Sequence, residues 1–327
     1  MTELLNRPTV EAYELADRFK AGGPPMLLTG VQAIARLLVE HRALDRRRGL
    51  RTASFVSGYQ GSPLGGLDRM LAEMPEVLEE NDIRFVPGVN EELAATSVWG
   101  SQIDLPLGTR TYDGVTGFWY GKGPGVDRAT DALRHANMYG VNPNGGALLL
   151  VGDDPASKSS TVPAVSERSL AALGIPVLFP RNAAEIVTLG LHGIEMSRAS
   201  GCVVALKIVA DVADGAWMVE PSVGAATPGR PEVEWEGRTY TYEQRPMVLR
   251  PDAIVGAEAA LVGPRAKVVR EYAALNRLNV LEVDPPQATL ASSRQAAAST
   301  RCAKRSSISA SETTTWSGPA SACCAWV

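Results

Sequence analysis

The chain has 327 residues, 45% of them apolar and 21% charged, with 31 Gly and 22 Pro, which places it among globular proteins with ample length for a core. A formal net charge of −4 excludes the basic footprint that nucleic-acid binding needs, and the run Arg46, Arg47, Arg48 and Arg51 reads as a solvated helix end. No apolar stretch approaches the ~20 residues of a membrane span, and Glu3, Glu11, Glu14 and Asp17 stand where a secretory signal would be apolar or basic.

The four cysteines, Cys202, Cys302, Cys323 and Cys324, have neither zinc nor iron-sulfur spacing, so a cytoplasmic chain with no metal site of its own is expected. From Leu27 onward short apolar runs alternate with longer amphipathic ones, the pattern of strands joined by helices. Apolar residues at helical spacing make Gly30 to Arg46 a helix. Ala53 to Ser57 then reads as a strand, Leu64 to Leu78 as a helix, Ile83 to Val86 as a strand and Glu91 to Ile103 as a helix. Gly114 to Tyr120 is the next strand, Val126 to Met138 a helix, Ala147 to Val151 a strand and Glu167 to Leu173 a short helix. Val177 to Phe179, Ala183 to Ala199 and Cys202 to Ile208 read as strand, helix and strand.

Six strands in βα alternation predict an α/β fold with a doubly wound, mostly parallel sheet over residues 50–212, after a helical segment at 1–49. Residues 213–286 read as a linker, without period from Glu220 to Pro246, followed by a helical stretch. Gln287 to Val327 differs in kind: it is rich in Ala, Ser and Thr, carries one acidic residue, Glu312, and holds three of the four cysteines. It reads as a disordered tail or, preferably, as the product of a frameshift, because disordered tails are usually rich in Glu, Lys and Pro and poor in Cys and Trp.

Four motifs follow predicted strands. Gly58-Tyr59-Gln60-Gly61-Ser62-Pro63-Leu64-Gly65-Gly66 offers a flexible backbone to a ligand at the carboxyl edge of the sheet, or a turn capped at Ser62 with Pro63 opening a helix. Asn90 and Glu91 read locally as an N-cap and a first-turn acid. Trp119 to Arg128 holds Lys122 among three glycines, able to contact an anion or merely to shape a loop. Gly152 to Ser159 follows the frame of a phosphate loop, but Ser157 replaces the second Gly, Pro155 removes a donor and Asp153 and Asp154 repel phosphate. His41, His135 and His192 lie on separate predicted helices and suggest no nucleophilic grouping.

In this order and spacing, the motifs Gly58 to Gly66, Pro87 to Glu91, Trp119 to Arg128 and Gly152 to Thr161 resemble the indolepyruvate:ferredoxin oxidoreductases, a family of thiamine-diphosphate-dependent 2-oxoacid:ferredoxin oxidoreductases. The likeness runs from Leu27 to Ala210, and more loosely to Asp284. It implies a pyrimidine-binding domain in which Glu91, beside Asn90, hydrogen-bonds the aminopyrimidine ring, with Glu92 as the adjacent alternative. Such a carboxyl is expected to be buried, which favours its protonated form. The resemblance further implies that Gly61, Ser62 and Pro63 face the carboxylate of a 2-oxoacid, with Lys122 as a second contact.

Coenzyme A, ferredoxin, and a diphosphate-binding domain or subunit in a homo- or hetero-oligomer are the implied partners. Mg²⁺ and iron-sulfur sites are expected on regions that this chain lacks, and Gly152-Asp153-Asp154 with Asn182 departs from the family's Gly-Asp-Gly…Asn motif. The expected activity is oxidative decarboxylation of a 2-oxoacid by a larger enzyme, of which this chain is an N-terminal part, inactive alone. The alternatives are a non-catalytic domain that completes a partner's cofactor site and a phosphate-loop NTPase.

Overall fold

The computed structural model describes residues 15–103, 110–158, 161–221, 228–245 and 247–280; the Gln287–Val327 tail with its three cysteines lies outside them. A 3-10 turn, Leu15–Phe19, leads to strand β1 (Met26–Thr29) and helix α1 (Gly30–Arg47). Thr29 caps α1 reciprocally: its side chain accepts from Gln32 N–H, and Gln32 returns the contact to the Thr29 backbone.

The main sheet consists of β2 (Thr52–Gly58), β3 (Ile83–Phe85), β4 (Gly114–Lys122), β5 (Ala147–Asp153), β6 (Val177–Leu178) and β7 (Val204–Val209). All six are parallel, in the order β3-β2-β4-β5-β7-β6, as the βα alternation predicts. The central strands are buried along nearly their whole length because helices cover both faces, which accounts for their unbroken apolar runs.

Period two divides their side chains between two cores. Phe118, Tyr120, Leu148, Leu150, Val204 and Leu206 face α1 and α8 (Ala183–Ser200). Trp119, Leu149, Val151 and Ala205 face α4 (Glu91–Gly100) and α6 (Thr130–Tyr139). Helices α1 and α8 approach closely at Gly190, where a Cβ would lie 2.3 Å from Leu37 Cδ2.

Two predicted helices divide in the structure. Leu64 to Leu78 becomes α2 (Leu67–Ala72) and α3 (Pro75–Glu80), because Pro75 supplies no N–H and begins a new helix. The Val126 helix begins earlier, as α5 (Gly123–Arg128), and breaks before α6. After α7 (Glu167–Ala172) and α9 (Ala210–Asp214), β8 (Ala216–Val219) returns to pair antiparallel with β1. Within the aperiodic stretch, β9 (Val233–Trp235) and β10 (Arg238–Tyr240) form a hairpin whose turn residues, Glu236 and Gly237, both have positive φ.

Helices α10 (Pro251–Ala260) and α11 (Ala266–Leu275) follow, joined by a π-turn, Leu261–Arg265, that kinks at Gly263. Arg265 turns inward and donates to the carbonyls of Asn137, Met138, Ser200 and Gly201 at the C-terminal ends of α6 and α8.

A buried ionic network closes the amino-terminal edge of the sheet. Arg198 donates through both terminal nitrogens to Asp45 at 2.7 Å and through Nη1 to Glu195 at 2.9 Å; Thr52 also donates to Asp45, at 2.6 Å. Arg46, Arg47 and Arg51 are exposed, as expected of a helix end, but Arg48 reaches Glu195 at 2.8 Å. The histidines are separate, as anticipated: His135 is half-buried beside Trp99 and Tyr139, His192 half-buried beside Tyr272, and His41 wholly buried beside Thr116 and Asp45.

Candidate functional site

The chain leaves β2 for β3 on one side and returns to β4 on the other, so strand order reverses at β2. In open parallel sheets the crevice at such a reversal, beyond the carboxyl ends of the strands, is where ligands bind. Register places Gly58 beside Tyr120 and Lys122 beside Gly152 at this edge. All the candidate residues lie on segments that begin or end here.

The packing at the edge requires glycine. A Cβ on Gly58 would lie 2.1 Å from the Tyr120 carbonyl oxygen. Beyond the strands, Tyr59 N–H donates to the Tyr120 carbonyl at 3.1 Å and Gly88 N–H to the Gly58 carbonyl at 2.8 Å, which tethers the loops after β2 and β3 to the crevice.

Two groups of candidate residues meet this edge. In the first, the stem of Lys122 lies across Gly61, where a Cβ would stand 3.0 Å from Lys122 Cδ. Ser62 is joined to Pro63 by a cis peptide bond, and Pro63 packs against Gly152, whose Cβ position is 2.8 Å from Pro63 Cδ. Ser62 is not a helix cap: α2 starts only at Leu67, after Gly66. Nor is Lys122 on a loop, since it is the last residue of β4 and the residue before α5.

In the second group, Asn90 caps α4 by accepting from Leu93 N–H at 2.9 Å, which realises the local reading of the sequence. Glu91, one residue on, is turned inward and only 8% exposed, whereas Glu92 is exposed. Glu91 packs on the first turn of α5, where a Cβ on Gly125 would lie 3.1 Å from Oε1. Arg128 Nε stands 3.8 Å from Oε2, and Trp119 Nε1 donates to the Glu91 carbonyl at 3.0 Å. Glu91 thus lies buried at the N-terminal end of the ten-residue α4, with the Arg128 guanidinium at its rim.

A third polar group lies at the ends of β5 and β7. Asp153 is fully buried; its Oδ2 accepts from the N–H and Oγ of Ser166 at 2.8 Å each and lies 3.2 Å from Lys207 Nζ. Lys207 also pairs with Glu167 and stands over the Phe179 ring. Burial raises the Asp153 carboxyl above its ordinary range, against the opposing pull of Ser166 and Lys207. The sequence does carry a signal for this group, a lysine inside the otherwise apolar run Cys202 to Ile208.

The phosphate-loop alternative fails on geometry. Asp154 Oδ1 accepts from Lys158 N–H at 2.9 Å, Lys158 Nζ faces Asp214 at 3.5 Å, and the next described helix begins only at Glu167. A phosphate cradle needs a helix N-terminus directly after its lysine. Among the described residues no group of three or more His, Cys, Asp or Glu side chains is placed to hold a metal, and no helix is long and apolar enough to cross a membrane.

No family model and no curated protein sequence matches the chain. Among solved structures, it is similar to a 2-oxoglutarate:ferredoxin oxidoreductase from Magnetococcus marinus, solved with 2-oxoglutarate, coenzyme A and succinyl-CoA bound. The TM-score is 0.53 at 13% identity, over 75% of this chain and 45% of that one, so this chain spans under half the length of its neighbour. The likeness shows a shared doubly wound α/β fold.

Proposed function

We propose that this chain is the pyrimidine-binding part of a thiamine-diphosphate-dependent 2-oxoacid oxidoreductase of the indolepyruvate type, completed by a diphosphate-binding domain or subunit. The observation that carries the reading is Glu91: a buried carboxyl at the strand-order reversal, on the first turn of a helix, held against a glycine. The residues present fit such a cofactor, because Glu91 is a buried carboxyl at the crevice that depends on glycine at 125: a side chain there would meet Glu91 Cγ at 2.8 Å and Oε1 at 3.1 Å and displace the carboxyl. When bound, thiamine diphosphate supplies the carbanion chemistry of 2-oxoacid decarboxylation.

The chain's own contribution is placement and proton handling. Glu91 shares a proton with a ring nitrogen and stays oriented because Trp119 fixes its backbone and Gly125 its side chain. Arg128 stands at the rim, 3.8 Å from Oε2. On the other side of the crevice, Lys122 with the Gly61, Ser62 and Pro63 segment faces the substrate carboxylate, the ammonium supplying charge and the loop supplying a hydroxyl. Coenzyme A as acyl acceptor and ferredoxin as electron acceptor belong to the assembled enzyme.

Val89, 82% exposed, and Leu93, 53% exposed, flank Glu91 in sequence and favour a covered edge in that assembly. They equally suit a non-catalytic domain that completes a partner's site.

The test is a calorimetric titration of thiamine diphosphate with Mg²⁺ into the chain assembled with its diphosphate-binding half. Glu91→Ala is expected to weaken binding at least about tenfold, the loss of one buried hydrogen bond to a charged group. Equal affinity for both proteins would refute the role of Glu91.

A further inference from the structure

The first turn of α5 is wedged between two buried carboxyl groups. On one side, a Cβ on Gly123 would lie 2.9 Å from Asp153 Oδ1; on the other, a Cβ on Gly125 would lie 2.8 Å from Glu91 Cγ. Asp153 is held in place by Ser166 and Lys207 through Oδ2, while Oδ1 is buried, has no hydrogen-bond partner among the described residues and rests against Gly123. The register explains the meeting: Gly152 pairs with Lys122, so Asp153 stands level with the residue that opens α5.

The geometry points to Asp153 as a positioning residue for Glu91, acting through the turn formed by Gly123, Pro124 and Gly125. Pro124 stiffens this turn, so a displacement at Gly123 carries over to Gly125 and from there to the Glu91 side chain. Lys207, which anchors Asp153, belongs to the same device although it lies on β7, two strands from β4. The catalytic meaning of this coupling rests on the reading of Glu91 given above; its physical existence does not.

Trp119 provides a readout at the far end of the chain of contacts, because its indole N–H donates to the Glu91 carbonyl. Its signal in a proton–nitrogen correlation spectrum of the full chain, identified with Trp119→Phe, follows the start of α4. Asp153→Ala and Gly123→Ala are expected to move that signal and to speed indole hydrogen exchange about tenfold. Asp153→Asn keeps the side-chain shape and an acceptor for Ser166, and is expected to retain the wild-type signal.

Asp45→Asn, at the opposite edge of the sheet, lowers stability without moving the signal. Gly123→Ala leaves the hydrogen-bonding groups of Asp153 intact but would meet Ala164 Cβ as closely as Asp153 Oδ1, at 2.9 Å each; should Asp153→Ala not fold, Gly123→Ala combined with Ala164→Gly, which leaves only the Asp153 contact, carries the test and is expected to move the signal. An unmoved Trp119 signal in the folded variants would overturn the proposal, as would equal shifts in Asp153→Asn and Asp153→Ala. If Glu91→Gln left 2-oxoacid turnover intact while Asp153→Ala still moved the signal, the functional reading would fall and the coupling would stand.

Discussion

His41 sits at the centre of the buried ionic network, and its environment sets how the fold responds to acid. Thr116 Oγ1 donates to the Gly145 carbonyl at 2.8 Å and therefore accepts from His41, which fixes the Nε2–H tautomer. Burial pushes the imidazole pKa down to about 4; Asp45 and Glu195 oppose this, and Arg198 and Arg42 reinforce it. Between pH 6.5 and 4 the unfolded chain thus binds a proton at this residue that the folded chain refuses, and unfolding free energy falls as the pH drops through that window.

At ~1.4 kcal/mol per pH unit, the whole effect is about 3 kcal/mol, a large part of a typical domain stability of ~5–15 kcal/mol. Below pH 4 the His41 contribution is spent. Asp45 then takes over: burial raises its carboxyl, but Arg198, His41 and Thr52 more than offset this and hold it well below the usual range. Its stabilisation is present above the ordinary carboxylate pKa and is lost as the pH falls further. Urea unfolding followed by Trp fluorescence from pH 7.5 to 4 should show the decline in wild type and a curve flatter by about 3 kcal/mol in His41→Gln, whose amide can still donate to Thr116. His192, whose pKa burial also lowers, adds a slope of the same sign in both proteins. Parallel curves for the two proteins would refute the assignment.

Arg265→Met should lower stability by about 3–4 kcal/mol, since four carbonyls at two helix ends lose a donor at ~1 kcal/mol each; a midpoint in urea unchanged from wild type would contradict this. The glycines of the first motif should behave differently from one another. Gly58→Ala meets the rigid Tyr120 backbone at 2.1 Å and should cost more than ~3 kcal/mol, whereas Gly61→Ala meets only the flexible Lys122 stem at 3.0 Å and should stay within ~0.5 kcal/mol. Thermal melts of the pair decide the matter, and equal losses would show that the edge is not packed as described.

The six parallel strands were legible because burial on both faces writes them as short apolar runs, each followed by a helix period. The β1 and β8 ribbon was not, since each strand has four residues, half of them outward-facing, and the partner lies some 190 positions away. The division of the Leu64 helix was written in Pro75, a residue that favours the first helical position. The inward turn of the network residues was also readable, with hindsight. His41 and Asp45 continue the stripe Ile34, Leu37 and Leu38 on α1, and Glu195 and Arg198 continue Val187, Leu191 and Ile194 on α8.

At the candidate site, the placement of Glu91 and Asn90 at the start of α4 was legible, because capping chemistry is local. Which of Glu91 and Glu92 turns inward was not, and depends on the glycine at 125, contributed by another element. Lys122 was misplaced on a loop because Gly123, Pro124 and Gly125 look like a helix-breaking run, yet Pro fits a first turn and the two glycines fit against carboxyl groups. Lys207 inside an apolar run marks a buried polar group, but that its partner is Asp153, on the neighbouring strand, is a relation no local pattern encodes.

The most direct test of the central claim is 2-oxoacid-dependent dye reduction by the chain assembled with its diphosphate-binding half, comparing wild type with Glu91→Gln. A fall in kcat of about 10²–10⁴, the usual weight of a general acid–base group, with melting behaviour unchanged, is the expected result. Undiminished turnover in Glu91→Gln would contradict the account.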